Sequence, residues 1–187
     1  MQKTRAFIAI PVEGEVRAAL TELQARLKNP AANIRWMNPD ALHLTLAFLG
    51  DIPAEKTPAL GAALDENVSH LKSFPLRIQG VGVFGRRDKP GVVWAGVAET
   101  PDLLTLRERV ARAVAAANIP FAACRFRPHL TLGRFKTPER ATPIFPAMEK
   151  ENDAVYGEIR VEAVELFKSE LKPAGAEHTS LHRAALV

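Results

Sequence analysis

The chain of 187 residues carries a single cysteine, Cys124. No intramolecular disulfide can form, so a reducing, cytoplasmic setting is expected. No uninterrupted apolar run approaches the ~20 residues of a membrane-spanning helix, and no membrane partner is expected. The opening MQKTRAFIAIPVEGEV sets basic residues before apolar ones, but the run is short and meets Pro11 and Glu13. A buried strand suits that pattern better than a signal peptide. No Ser/Gly-rich linker or low-complexity segment interrupts the sequence, and its 14 prolines are spread along it. One domain, residues 1–187, follows from this. No carboxylate or histidine cluster has metal-ligand spacing, so no metal and no other cofactor is expected.

What remains is an ordinary globular mixture, 47% hydrophobic and 25% charged, enough for one substantial core or two small lobes. The formal charge of +4 favours anionic partners, of which nucleic acid is the commonest.

Periodicity gives the layout. Residues 5–10 alternate as a strand. Val16, Leu20, Leu23 and Leu27 recur at helical spacing over 13–28, and Asn29-Pro30 ends that helix. Leu60, Leu64, Val68 and Leu71 mark a second helix over 54–71, with His70 in its last turn, where a cation favours the dipole. PLRIQGVGVF and GVVWAGVA, joined by GRRDKPG, predict an antiparallel pair. Thr100-Pro101 starts a third helix that runs to about Ala117. Residues 139–150 are undetermined. GEIRVEAVELF and TSLHRAAL read as closing strands. The expected fold is α+β and bilobal, with two pseudo-symmetric, largely antiparallel sheets, helices outside and a central cleft.

Only five histidines occur, and two of them head the same four letters. HLTLAFLG spans residues 43–50 and HLTLGRF spans 129–135. Alternation in a strand puts His43 and Thr45 on one face and Leu44, Leu46 and Phe48 on the other. The same holds for His129 and Thr131 against Leu130 and Leu132. Each strand thus shows one imidazole and one hydroxyl, roughly 7 Å apart, opposite an apolar face. Two lobes facing each other bring two histidines and two threonines to one cleft.

That set suits metal-free cleavage of a phosphodiester. One imidazole takes a proton from the attacking oxygen and the other protonates the leaving oxygen, since imidazole titrates near neutrality. A hydroxyl beside each can donate to the nonbridging phosphate oxygens. A duplication kept for packing explains the leucines but not the histidines. Which histidine is acid and which is base stays open at this point.

The two motifs in context, RWMNPDALHLTLAFLGDI and FRPHLTLGRFK, resemble the paired signatures of the two-histidine (2H) phosphoesterases. The nearer resemblance is to the RNA 2′,3′-cyclic phosphodiesterases, also described as 2′-5′ RNA ligases. RAFIAIPV and LFKSELKPAGAEHTSL resemble that family's first and closing strands. The resemblance implies hydrolysis of an RNA 2′,3′-cyclic phosphate end to a 2′-phosphate, by a monomer. It implies that His43 donates the proton, His129 accepts one, and Thr45 and Thr131 bind the phosphate. It also implies that Arg134 lies near the phosphate and that Phe84 stacks on the terminal base. Ligation through a 2′-5′ linkage is the alternative within the same chemistry, and a non-catalytic RNA-binding module is the alternative outside it. Strict alternation puts Arg134 on the leucine face unless a bulge at Gly133 re-aims it. Arg86, Arg87 and Lys89 either touch upstream phosphates or form a solvated hairpin tip. His178 stands where relatives commonly carry an aromatic. Alternation places it on one face with His182, ~13 Å away, too far for one ion. Cys124 is expected to be a buried structural residue.

Overall fold

The computed structural model describes residues 2–86, 88–121, 125–137, 142–172 and 175–187. Their strands are β1 (Lys3–Pro11), β2 (Ile34–Trp36), β3 (His43–Pro53), β4 (Phe74–Arg86), β5 (Lys89–Val97), β6 (His129–Phe135), β7 (Val155–Val161), β8 (Ala163–Lys172) and β9 (Gly175–Ala185). Their α-helices are α1 (Gly14–Leu27), α2 (Thr57–Val68), α3 (Pro101–Ala116) and α4 (Phe145–Glu149). None of these helices is long and apolar enough to cross a membrane.

The strands lie in the order β7-β4-β5-β6-β3-β1-β8-β9, and β2 pairs with β6. Every pairing is antiparallel. The two expected lobes are the two four-strand halves of this curled sheet, and each has a His-Leu-Thr-Leu strand at its inner edge. The halves join through one residue pair, Leu44 opposite Leu130. Both leucines are buried, at 1% and 0% exposure. Burying such a side chain contributes about 1.5–3 kcal/mol, so the seam is held by the core beneath it more than by its ladder.

Local sequence explains the helices. Val16, Leu20, Leu23 and Leu27 form the buried stripe of α1, with Glu15 in the first turn and Arg26 in the last, as the helix dipole favours. The Thr100 hydroxyl accepts from the Leu103 amide at 3.2 Å and Pro101 takes the first position of α3. The helix expected over 54–71 is a 3₁₀ turn, Ala54–Lys56, followed by α2. α2 stops at Val68, so His70 lies beyond its end and not in its last turn.

The same order, strand-helix-strand, builds both halves: β1-α1-β3 and β5-α3-β6. Each helix crosses over. α1 packs on β7 of the other half, and α3 packs on β3.

Candidate active site

The two histidines are held by the same local hook. His43 Nδ1 donates to the Ala41 carbonyl at 2.8 Å, and His129 Nδ1 donates to the Arg127 carbonyl at 2.7 Å. A carbonyl only accepts, so Nδ1 keeps its hydrogen in both rings. Nε2 is then the basic atom of each neutral imidazole. The Ala41 carbonyl is positioned by a 3₁₀ turn, Pro39–Ala41, whose Asn38 side chain accepts from the Asp40 amide.

Extending the register from Leu44–Leu130 sets His43 across from Thr131 and Thr45 across from His129. Each ring also has an aromatic backing. Phe7 lies 4.7 Å from His43, and Phe84 meets His129 edge-on at 4.6 Å. The backing is itself pseudo-symmetric, because Phe167 occupies beside Phe7 the place that Phe84 occupies beside Val92. Burial pushes His43 down to about 4, and the charges of His178, His129 and Arg134 add to it. Burial lowers His129 as well, with Arg134 contributing. The carbonyl hooks oppose both shifts. Both rings are therefore neutral at pH 7 in the free site.

A cleft of about 550 Å³ opens in front of the rings, and its walls include His43, Thr45, Thr131, Arg134 and Phe48. Arg134 reaches it because a one-residue bulge interrupts β6. Thr131 pairs with Trp94 and Gly133 with Val93, which leaves Leu132 as the extra residue. The bulge returns Arg134 to the histidine side, as the Gly133 alternative required. β3 has the equivalent bulge at Leu46, since Thr45 pairs with Ala9 and Ala47 with Ile8. Phe48 is thereby moved off the leucine face, contrary to simple alternation. It is 52% exposed and carries the Arg5 guanidinium 5.0 Å above its ring.

Gln24 gave no signal in the sequence, where it sits among the polar letters of an amphipathic helix. It is 3% exposed, and its side-chain amide donates to the Met37 carbonyl at 3.0 Å and the Leu132 carbonyl at 2.9 Å. It ties α1 to the bulge that aims Arg134. Replacing Gln24 with Leu strips a buried donor from two carbonyls. The expected result is a loss of about 1–3 kcal/mol in a urea melt. Turnover should also fall, because the bulge loses its anchor. A variant with unchanged midpoint and activity would show the contact to be incidental.

The remaining singled-out residues separate. His178 lies in the cleft, 4.8 Å from Phe7 and 5.3 Å from His43, with a buried Nδ1 lacking a hydrogen-bond partner. A third bulge, at Leu181, sends His182 to the opposite face, where it meets Asp65 at 2.9 Å. The two therefore do not share a face, as alternation had implied. Arg86 forms a two-pronged pair with Asp88 at the exposed hairpin tip, at 2.9 and 3.0 Å. Arg87 and Cys124 lie outside the described residues.

Several known proteins are similar over nearly the whole length. The chain is 35% identical over 190 residues to an RNA 2′,3′-cyclic phosphodiesterase of Thermus thermophilus, covering 97% of this chain and 90% of that protein. It is 30% identical over 185 residues to one of Methanothermobacter thermautotrophicus, covering 96% and 97%. The crystal structure of E. coli LigT complexed with 3′-AMP superposes with a TM-score of 0.76 at 27% identity, covering 100% of this chain and 99% of that one. The family model described as LigT like Phosphoesterase matches residues 10–94 and 96–176, two blocks that each contain one His-Leu-Thr-Leu strand. On that match, the chain belongs to the LigT-like phosphoesterase family.

Proposed function

We propose that the whole chain works as one hydrolase that opens the 2′,3′-cyclic phosphate at an RNA end to a 2′-phosphate. The observation that carries this is the paired hook. Two histidines on antiparallel strands are fixed in the same tautomer, each with a threonine hydroxyl from the other strand across from it. The names of the relatives support the same substrate class.

In this reading His129 Nε2 takes a proton from water as its oxygen attacks phosphorus. The bond from phosphorus to the 3′ oxygen breaks in line, and His43 delivers a proton to that oxygen. Thr45 and Thr131 donate to the nonbridging oxygens, where charge grows. The donor role of His43 depends on the substrate. Its proton is disfavoured in the empty cleft, and an anionic phosphate between the rings restores it.

The direct test is incubation with a nucleoside 2′,3′-cyclic phosphate in excess chelator, with the product identified by phosphorus NMR. A 2′-phosphate formed at an undiminished rate is expected. A 3′-phosphate product, or activity lost to chelator and restored by zinc or manganese, would overturn the reading. The pH profile gives a second check. One ring must be protonated and the other neutral, and both titrate below the usual value in the free site. The kcat/KM bell should therefore peak on the acid side of ~6.5, with apparent pKa values that belong to the pair. The kcat bell should lie higher, because bound phosphate raises both. A kcat/KM bell centred above neutrality would contradict the electrostatics described for the cleft.

A further inference from the structure

β2 is three residues long, and its register sets Arg35 directly opposite Arg134. Like charges opposite one another on a sheet face are destabilising. The fold nevertheless holds this pairing firmly. Met37 donates to the Leu132 carbonyl at 2.9 Å and Lys136 donates to the Asn33 carbonyl at 2.8 Å, one bond at each end of the short ladder. Gly133 leaves room for it, since a Cβ there would come within 2.7 Å of the Ile34 side chain and 3.0 Å of Trp36. β2 takes up the edge of β6 where β3 splays away past Leu130. Arg35 is therefore set in the wedge between the two motif strands.

Both guanidiniums line the cleft. Among the described residues neither has a carboxylate within ion-pair distance, whereas Lys172 is paired with Glu177 and Arg5 lies over Phe48. Two unpaired cations held side by side form a site for an anion with several oxygens, and arginine suits phosphate through its planar fork. Arg134 is two strand steps beyond Thr131 once the bulged Leu132 is set aside, about 7 Å along the backbone. That matches the spacing of consecutive phosphates in an extended strand.

We propose that Arg35, opposite Arg134, binds the phosphodiester on the 5′ side of the terminal nucleotide, so that the site selects RNA ends of at least two nucleotides over free cyclic nucleotides. This rests on the hydrolase reading above. Arg134 acts on the reactive phosphate, where its field already reaches both histidines. Arg35 extends the positive wall to the next one.

The test compares kcat/KM of the unaltered protein, Arg35→Gln and Arg35→Lys on adenosine 2′,3′-cyclic phosphate and on a triadenylate with the same end. Arg35→Gln should lose roughly 10- to 100-fold more on the triadenylate than on the mononucleotide. The slope of log kcat/KM against log salt for the triadenylate should become shallower by about 0.7, the value for one single-strand phosphate contact. Arg35→Lys should recover part of the loss, because charge returns without the fork. Equal losses on the two substrates, or an unchanged salt slope, would overturn the proposal. If the unaltered protein cleaves neither substrate, the hydrolase reading fails instead. Binding of a fluorescein-labelled triadenylate 2′-phosphate, followed by anisotropy, then decides the clamp alone. Weaker binding by Arg35→Gln supports it, and unaltered affinity rejects it.

Discussion

Replacing either His43 or His129 with Asn lowers turnover of a nucleoside 2′,3′-cyclic phosphate by about 10²–10⁴-fold, the usual size of a general acid or base effect. Asparagine is the informative substitution. Its amide can still donate to the carbonyl that Nδ1 holds, Ala41 for one and Arg127 for the other. The strand entry is kept, and the titrating Nε2 is lost. Because the two rings act on one phosphorus, the double variant should lose far less than the product of the single losses. The acid limb of the pH profile should also disappear in the variant that lacks the proton donor. Near-normal turnover in either single variant, measured on folded protein, would end the two-histidine mechanism.

Thr45→Val and Thr131→Val come next in size. Valine keeps the volume and β-branching, so β3 and β6 keep their shape, and only the donor is removed. The loss of one preorganised donor to a developing phosphorane charge is about 2–4 kcal/mol, or roughly 30- to 1000-fold in turnover. The loss should fall mainly on kcat, since the hydroxyls bind the transition state more strongly than the substrate. Thr→Ser should keep most of the activity. Valine variants that melt normally and turn over normally would reduce the threonines to strand formers.

The histidines and threonines were legible because their strands obey alternation for their first four residues. The helical stripe of α1 and the cap of α3 were legible because spacing and capping chemistry are local. What could not be read are the three bulges at Leu46, Leu132 and Leu181. Each extra residue is a leucine, a residue that carries no turn or bulge signal. One unpaired residue swaps the faces of everything after it. That swap moved Phe48 into the cleft, rescued Arg134 for it, and parted His178 from His182. β2 was invisible for a different reason. Three residues are too few to show a period, and their pairing with β6 depends on a partner about a hundred positions away. Gln24 belongs to the same class, since its burial is set by two carbonyls from other elements.

The exchange of α1 and α3 between the halves has a consequence for how the nascent chain can assemble. β1, α1 and β3 leave the ribosome first, yet the platform of α1 is β7 and the second neighbour of β1 is β8, both near the end of translation. Until those arrive, the apolar stripe of α1 and the free edge of β1 have no native cover. Long-range pairings of this kind are slow to form and leave hydrophobic surface open in the meantime. The middle of the chain meets the complementary problem, because α3 needs β3 beneath it before its own lobe is closed. Neither lobe can be completed while the other waits, and the growing polypeptide must rely on the cell's holding machinery until its final strands emerge.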